Sequence, residues 1–205
     1  MANPSLQAFI MSCTLKSSPE PSSADRLASE LLAELAYLGV SGSILRVADY
    51  QVAAGVATDM GDGDAWPTFR TAIYDSDIVI IATPIWMGHP SSFAQRVMER
   101  LDAELSEQDD AGRLRTYGKV AGAVVVGNED GAHHVSAELF QGLSDVGFSL
   151  PAGAVTYWTG EAMHTTDYKD LAETPSKVAS TTKSMAVNLA HLARVLKTNP
   201  YPPAS

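Results

Sequence analysis

Three short segments concentrate the side chains able to hold an anionic or planar ligand. The first, Ser12-Cys13-Thr14-Leu15-Lys16-Ser17-Ser18-Pro19-Glu20-Pro21-Ser22-Ser23, carries six hydroxyls and one lysine. All of these donate well to phosphate oxygens. The segment runs from an apolar stretch into the start of a helix, where unpaired N–H groups and the helix dipole attract anions. The same residues also read as an ordinary Ser-rich surface loop in which Ser22 and Ser23 only cap the helix. The second segment, Thr83-Pro84-Ile85-Trp86-Met87-Gly88-His89-Pro90, offers a large indole for stacking and a glycine that admits close backbone approach. Trp86 packed as core is the competing reading. The third, Gly127-Asn128-Glu129-Asp130-Gly131, presents backbone polar groups to a heterocycle's edge, or is a plain turn.

Other chemistries lack their residues. There is no G-x-x-x-x-G-K-[ST], no G-x-G-x-x-G after the first strand and no G-x-S-x-G elbow. Hydroxyls without paired glycines suit a terminal phosphomonoester better than a pyrophosphate, which favours a mononucleotide. No H-E-x-x-H or comparable spacing is present, and no metal site is expected. His89, inside the second segment, is the one candidate for a catalytic proton donor or a guide for a nicotinamide. His133 and His134 open a helix and read as structural or solvated. Cys13 stands near a helix start, where its pKa falls if exposed, but a buried inert thiol is the safer reading.

The elements that position these loops follow from periodicity. Ala8–Met11 and Asp77–Ala82 are short and apolar on both faces, as strands buried between helix layers are. Further strands are expected at Ser43–Val47, Val120–Val126 and within 148–157. Between them, Leu27, Leu31, Leu35 and Leu38 form a helical stripe ending at Gly39. Ser22 to Asp25 resembles a capping box. Pro67–Tyr74 reads as a short helix. Phe93, Val97 and Leu101 mark another, capped by Ser91 or Ser92, and the acidic run Asp102–Asp110 after it reads as a solvated turn. Val135, Leu139, Leu143 and Val146 mark a fourth helix, which stops at Gly147. Met185, Leu189, Leu192 and Leu196 mark the last, with Thr174-Pro175 as N-cap and first residue. Ala48 to Trp66 is a long loop, functional or mobile. Strands alternating with helices imply a parallel sheet covered on both faces. Such sheets bind ligands beyond the carboxyl ends of their strands.

The chain has 205 residues, 45% of them hydrophobic, and a formal net charge of −10. One domain spanning 1–205 is expected, with a core over about 7–197 and a loose C-terminal tail. The charge argues against nucleic acid or an anionic membrane as partner. The single cysteine excludes an intramolecular disulfide and a Cys-rich zinc site. The N-terminus lacks a signal peptide's pattern, no apolar stretch spans a bilayer, and a cytoplasmic location is expected.

Taken together, the three loops resemble those of the NAD(P)H-dependent FMN reductases among the flavodoxin-like proteins. Thr83 through Phe93, followed by Arg96 and Glu99-Arg100-Leu101-Asp102, is similar to that family's Pro-Ile-Tyr loop and following helix. Gly-Asn-Glu-Asp-Gly resembles its second flavin-bordering loop. The resemblance implies a flavodoxin-like doubly wound five-stranded parallel sheet of order 2-1-3-4-5. It implies that Ser12, Thr14, Lys16, Ser22 and Ser23 hold the phosphate of FMN. Pro84, Ile85, Trp86, Met87 and Gly88 would line the isoalloxazine, with backbone N–H groups reaching its N5 and O4 region. Gly127, Asn128, Glu129 and Gly131 would close the other side. The implied activity is hydride transfer from NADPH or NADH through FMN to a quinone, flavin or other small acceptor, in a homodimer or homotetramer. An FMN electron carrier without nicotinamide turnover is the alternative. The chain departs from the pattern in having Met11 before Ser12, a longer first loop with Pro19 and Pro21, and Trp86 for the commoner tyrosine.

Overall fold

The computed structural model describes residues 5–203, so the first four residues, read for a signal pattern, and the last two of the expected loose tail lie outside the described residues. Six strands and five α-helices alternate: β1 (Leu6–Ser12), α1 (Ser23–Tyr37), β2 (Val40–Arg46), α2 (Trp66–Tyr74), β3 (Ile78–Trp86), β4 (His89–Pro90), α3 (Ser92–Leu101), β5 (Val120–Gly127), α4 (Ala132–Asp145), β6 (Val155–Thr159) and α5 (Ser176–Thr198). The sheet order is β2-β1-β3-β5-β6, all parallel, with β4 paired antiparallel to the end of β3. Leaving out that two-residue arm, this is the expected flavodoxin-like order 2-1-3-4-5.

Alternation along each strand sends residues into two cores. Phe9, Met11, Val79, Ile81, Ala121, Ala123 and Val125 pack with α2, α3 and α4. Ala8, Ile10, Ile78, Ile80, Val124 and Val126 pack with α1 and α5. Because both faces are covered, β1, β3 and β5 read as continuous apolar runs, and that is why they were legible.

Several boundaries differ from expectation. β2 begins at Val40, three residues early, because as an edge strand it tolerates exposed Ser41 and Ser43. Pro175, not Thr174, occupies the N-cap of α5, and the Thr174 hydroxyl donates to Glu30 instead (2.8 Å). Ser22 does cap α1, accepting from Asp25 N, but the Asp25 carboxylate turns away to Ser12 and Arg46. The acidic run after α3 is not wholly solvated: Glu104 is buried and accepts from Arg70 Nε at 2.6 Å and from the Tyr74 hydroxyl. The chain end is held at Tyr201, whose carbonyl accepts from Arg113 (2.8 Å) and whose hydroxyl lies 2.8 Å from Ser149 Oγ.

The long loop 48–66 is fastened to α2 and α3. Arg100, fully buried, donates to the carbonyls of Ala53 and Ala57 (both 2.9 Å) and to the Asp64 carboxylate (2.7 Å). Its guanidinium also lies over the Trp66 ring, 5.5 Å from the centroid and within the reach of about 6 Å of such a contact. Arg96 adds a bond to Val52 O at 3.1 Å. A loop without periodicity is thereby given a fixed path. Among the described residues no helix is long and apolar enough to cross a membrane.

Candidate functional site

At the carboxyl ends of β1, β3, β5 and β6 lies a cavity of about 390 Å³. That is within the usual range for small-molecule sites, about 300–1,000 Å³. Its walls come from five places: the loop after β1, the N-terminus of α1, the end of β3, the end of β5 with the loop after it, and Trp158 with the segment Asp167–Lys169.

The α1 end is built for an anion. Thr14, Lys16, Ser22 and Ser23 all line it, beside the first turn of a 15-residue helix. Thr14 and Ser22 are buried, so a hydroxyl there meets few competing waters. Ser12 is not brought into the lining. It is fully buried and its hydroxyl donates to Asp25, whose carboxylate also holds Arg46. Ser18 is also turned elsewhere, its N–H and hydroxyl both donating to Asp49 (2.7 and 2.6 Å). Serines of one loop thus divide between the cavity and the scaffold, a division that composition alone does not reveal.

Pro84, Ile85 and Trp86 form the wall at the end of β3. Trp86 is 54% exposed, so it is not a core side chain. Met87 and Gly88 lie outside the lining and make the turn between β3 and β4. Both have positive φ, 54° and 78°, as a two-residue type I′ hairpin turn demands. Their N–H groups donate to the two oxygens of Glu129, at 3.0 and 3.2 Å. These are the N–H groups expected to reach a flavin edge, and in this structure a carboxylate from the third loop holds them.

Gly127, Asn128 and Glu129 line the opposite side, whereas Gly131 does not. Gly131 has another task. A Cβ there would meet Gly88 Cα and O at 2.9 Å, so only glycine lets the two loops abut. At Gly127 a Cβ would meet the Ile85 side chain at 2.9 Å, so its bareness lets Ile85 pack against the β5 backbone. Asn128 Nδ2 donates to Asp167 at 3.0 Å, while its buried Oδ1 has no protein partner.

Sequence reasoning missed Leu15, Tyr168 and Lys169. Tyr168 is fully buried, donates to Glu30 at 2.5 Å and packs against Trp158 with ring centroids 5.5 Å apart. Lys169 donates its backbone N–H to Ser23 Oγ (3.2 Å), and its ammonium sits between Asp170 (2.5 Å) and Asp167 (3.1 Å). Hydrogen bonds it donates to the carboxylates of Asp170 and Asp167 hold its pKa above the usual lysine value. Tyr168 and Lys169 sit in a three-residue 3₁₀ turn, which leaves no periodic signal.

The remaining candidates lie beside the cavity. His89 is exposed on β4, with Nδ1 3.1 Å from Glu138 Oε1, and is not among the lining residues. His133 Nε2 lies 3.1 Å from the Tyr157 hydroxyl. Cys13 is buried, and burial pushes its thiol well above the usual range, as expected of an inert core cysteine.

The chemistry of this donor set suits a flat ligand with a terminal phosphate: hydroxyls and cations at one end, indole and aliphatic walls at the other. Comparison with known proteins points the same way. A family model described as NADPH-dependent FMN reductase matches residues 13–163. The 8-demethyl-8-aminoriboflavin-5'-phosphate synthase of Streptomyces davaonensis is 31% identical over 206 residues, covering 96% of this chain and 80% of that protein. A protein of Mycobacterium bovis named divalent metal cation transporter MntH is 33% identical over 199 residues. The match covers 94% of this chain, which spans only 29% of that protein's length. The crystal structure of RosB with bound 8-demethyl-8-formylriboflavin-5'-phosphate superposes with a TM-score of 0.86 at 31% identity. The superposition covers 96% of this chain and 82% of that one.

Proposed function

Since this chain belongs to the NADPH-dependent FMN reductase family, we propose that it passes electrons from NADPH or NADH through FMN, held in the cavity at the strand ends, to a small acceptor such as a quinone or free flavin. The observation that carries this reading is the polarity of that cavity, with Thr14, Lys16, Ser22 and Ser23 at one end and Pro84, Ile85, Trp86 and Trp158 along its sides. FMN supplies the hydride chemistry itself; the protein supplies position and field. Thr14, Ser22 and Ser23, with the α1 N-terminus, would hold the phosphate. Lys16 and Lys169 would offset its charge locally in a chain whose net charge is −10. Trp86 and Trp158 would flank the ring system and exclude water. The carboxylate of Glu129, which clamps the Met87–Gly88 turn, would keep the Trp86 wall upright. We name no general acid. In this reading the enzyme is cytoplasmic and homo-oligomeric.

The test is steady-state oxidation of NADPH and NADH with a quinone or free FMN as acceptor. Turnover with either nicotinamide supports the reading, and no turnover with both contradicts it. A second reading is favoured by the 31% identity to a protein named as a flavin-phosphate synthase. In it, the flavin phosphate is the substrate and leaves altered. Mass spectrometry of the flavin recovered after turnover separates the two, because a resident cofactor returns with unchanged mass.

A further inference from the structure

We propose that His89, His134 and Glu138 form a binding site for one divalent transition-metal cation of zinc type, on the outer rim of the β3–β4 hairpin. The site does not depend on the flavin reading. Among the described residues this is the only group of three or more His, Cys, Asp or Glu side chains with ligand atoms within 4.8 Å of one another. His134 Nε2 is 2.8 Å and His89 Nδ1 is 3.1 Å from the same carboxylate oxygen of Glu138. The two rings meet edge to face with centroids 4.9 Å apart. Two imidazole nitrogens and one carboxylate are a donor set that zinc accepts, with water completing four-coordination. A tetrahedral ion with bonds of about 2.0–2.2 Å separates its ligand atoms by about 3.3–3.5 Å. The two histidine–carboxylate distances therefore need to open by only about 0.2–0.7 Å, and the ligand atoms of the two imidazoles already lie within 4.8 Å of each other.

The framework beneath them is already set. His134 and Glu138 stand four residues apart on α4, hence on one face. His89 comes from β4, paired across the turn with Trp86. The turn is docked on the loop before α4 in two ways: the Met87 and Gly88 N–H groups bond to Glu129, and Gly88 backbone lies against Gly131. Glu129 is thereby occupied, and Asp130 accepts from Gly131 N at 2.8 Å, so neither acid competes for the histidines. All three ligands are exposed, which gives the ion an open path. The chain's net negative charge favours a cation's approach. Bound there, the ion would staple the hairpin that carries Trp86 to α4. The spacing escaped motif searches because one ligand lies 45 residues before the helical pair, a gap filled by α3, β5 and the loops between them.

The test is calorimetric titration of the full-length, FMN-equilibrated protein with zinc chloride in a non-chelating buffer. The expected result is one zinc per chain, with binding weakened about tenfold or more by His134→Ala, Glu138→Gln and His89→Gln. His133→Ala, whose imidazole faces Tyr157, leaves the affinity unchanged. The changed side chains are exposed, and equal melting curves will show that the variants fold. Anomalous scattering from a zinc-soaked crystal places the ion directly. Wild-type protein that takes up no stoichiometric zinc overturns the proposal. So does binding that His133→Ala weakens as much as His134→Ala, or an anomalous peak elsewhere.

Discussion

Single side chains divide sharply between work on the cavity and work on the scaffold. Trp86 belongs to the first kind: it lines the cavity and is 54% exposed, so little of the core depends on it. Replacing it by alanine is expected to raise the dissociation constant for FMN about tenfold, the worth of about 1.4 kcal/mol of stacking. The melting temperature should hardly move. Fluorescence titration with FMN and a thermal melt on the same variant check both halves. Asp64 belongs to the second kind. Burial would raise its pKa, but hydrogen bonds from the Arg100 side chain and from the N–H groups of Met60, Trp66 and Ala53 outweigh this and hold it well below the usual aspartate range. A carboxylate depressed by folding contributes stability that is present above its unfolded pKa and is lost as pH falls through the folded one. The protein should therefore lose stability from about pH 4 downward. Asp64→Asn should flatten that fall while costing about 3 kcal/mol at pH 7, because it leaves buried Arg100 without its charge partner. Urea unfolding at a series of pH values tests this, and parallel curves for wild type and variant would count against it.

At the scale of elements, the hairpin turn between β3 and β4 carries the most information. Met87 holds φ 54° without being glycine, a conformation that costs an ordinary side chain about 1–2 kcal/mol. Asparagine tolerates it better, so Met87→Asn should stabilise the fold by up to about 1 kcal/mol. Chemical denaturation measures the gain, and a loss of stability would show that the Met87 side chain makes contacts the exposed turn does not display. Much at this scale was legible beforehand. β1, β3 and β5 declared themselves because both faces are buried, and Ser22, Ser91, Gly39 and Gly147 marked helix ends through their capping chemistry. What stayed hidden depends on contacts between distant residues. Ser12 looked like a phosphate ligand until Asp25 claimed it. Tyr168 and Lys169 became a cavity wall because Ser23, Arg26 and Glu30 of α1 draw their short turn onto the helix. The loop 48–66 has no periodicity, and its path is decided by Arg100, a residue that sequence reading noted only as part of a helical resemblance.

The whole molecule is an acidic α/β sheet in which two lysines stand where an anion would sit, with the acids Glu129 and Asp167 in the same cavity lining. Lys16 and Lys169 stand at the α1 end of the cavity in a chain of net charge −10. The opposite end of the sheet, just before β5, holds Lys119, which donates to the carbonyls of Tyr74 and Ser76 (both 2.7 Å) and whose pKa burial pushes down to about 8. That distribution makes sense if the strand ends bind a phosphorylated ring and the rest of the fold exists to hold three loops around it. The central claim is that this ring is FMN and that a reduced nicotinamide reduces it in place. The direct measurement is the visible absorbance of the purified protein equilibrated with FMN, followed anaerobically as NADPH is added. One flavin per chain that bleaches on addition is the predicted result. A protein that takes up no FMN, or bound FMN that stays oxidised with both NADPH and NADH, would contradict it.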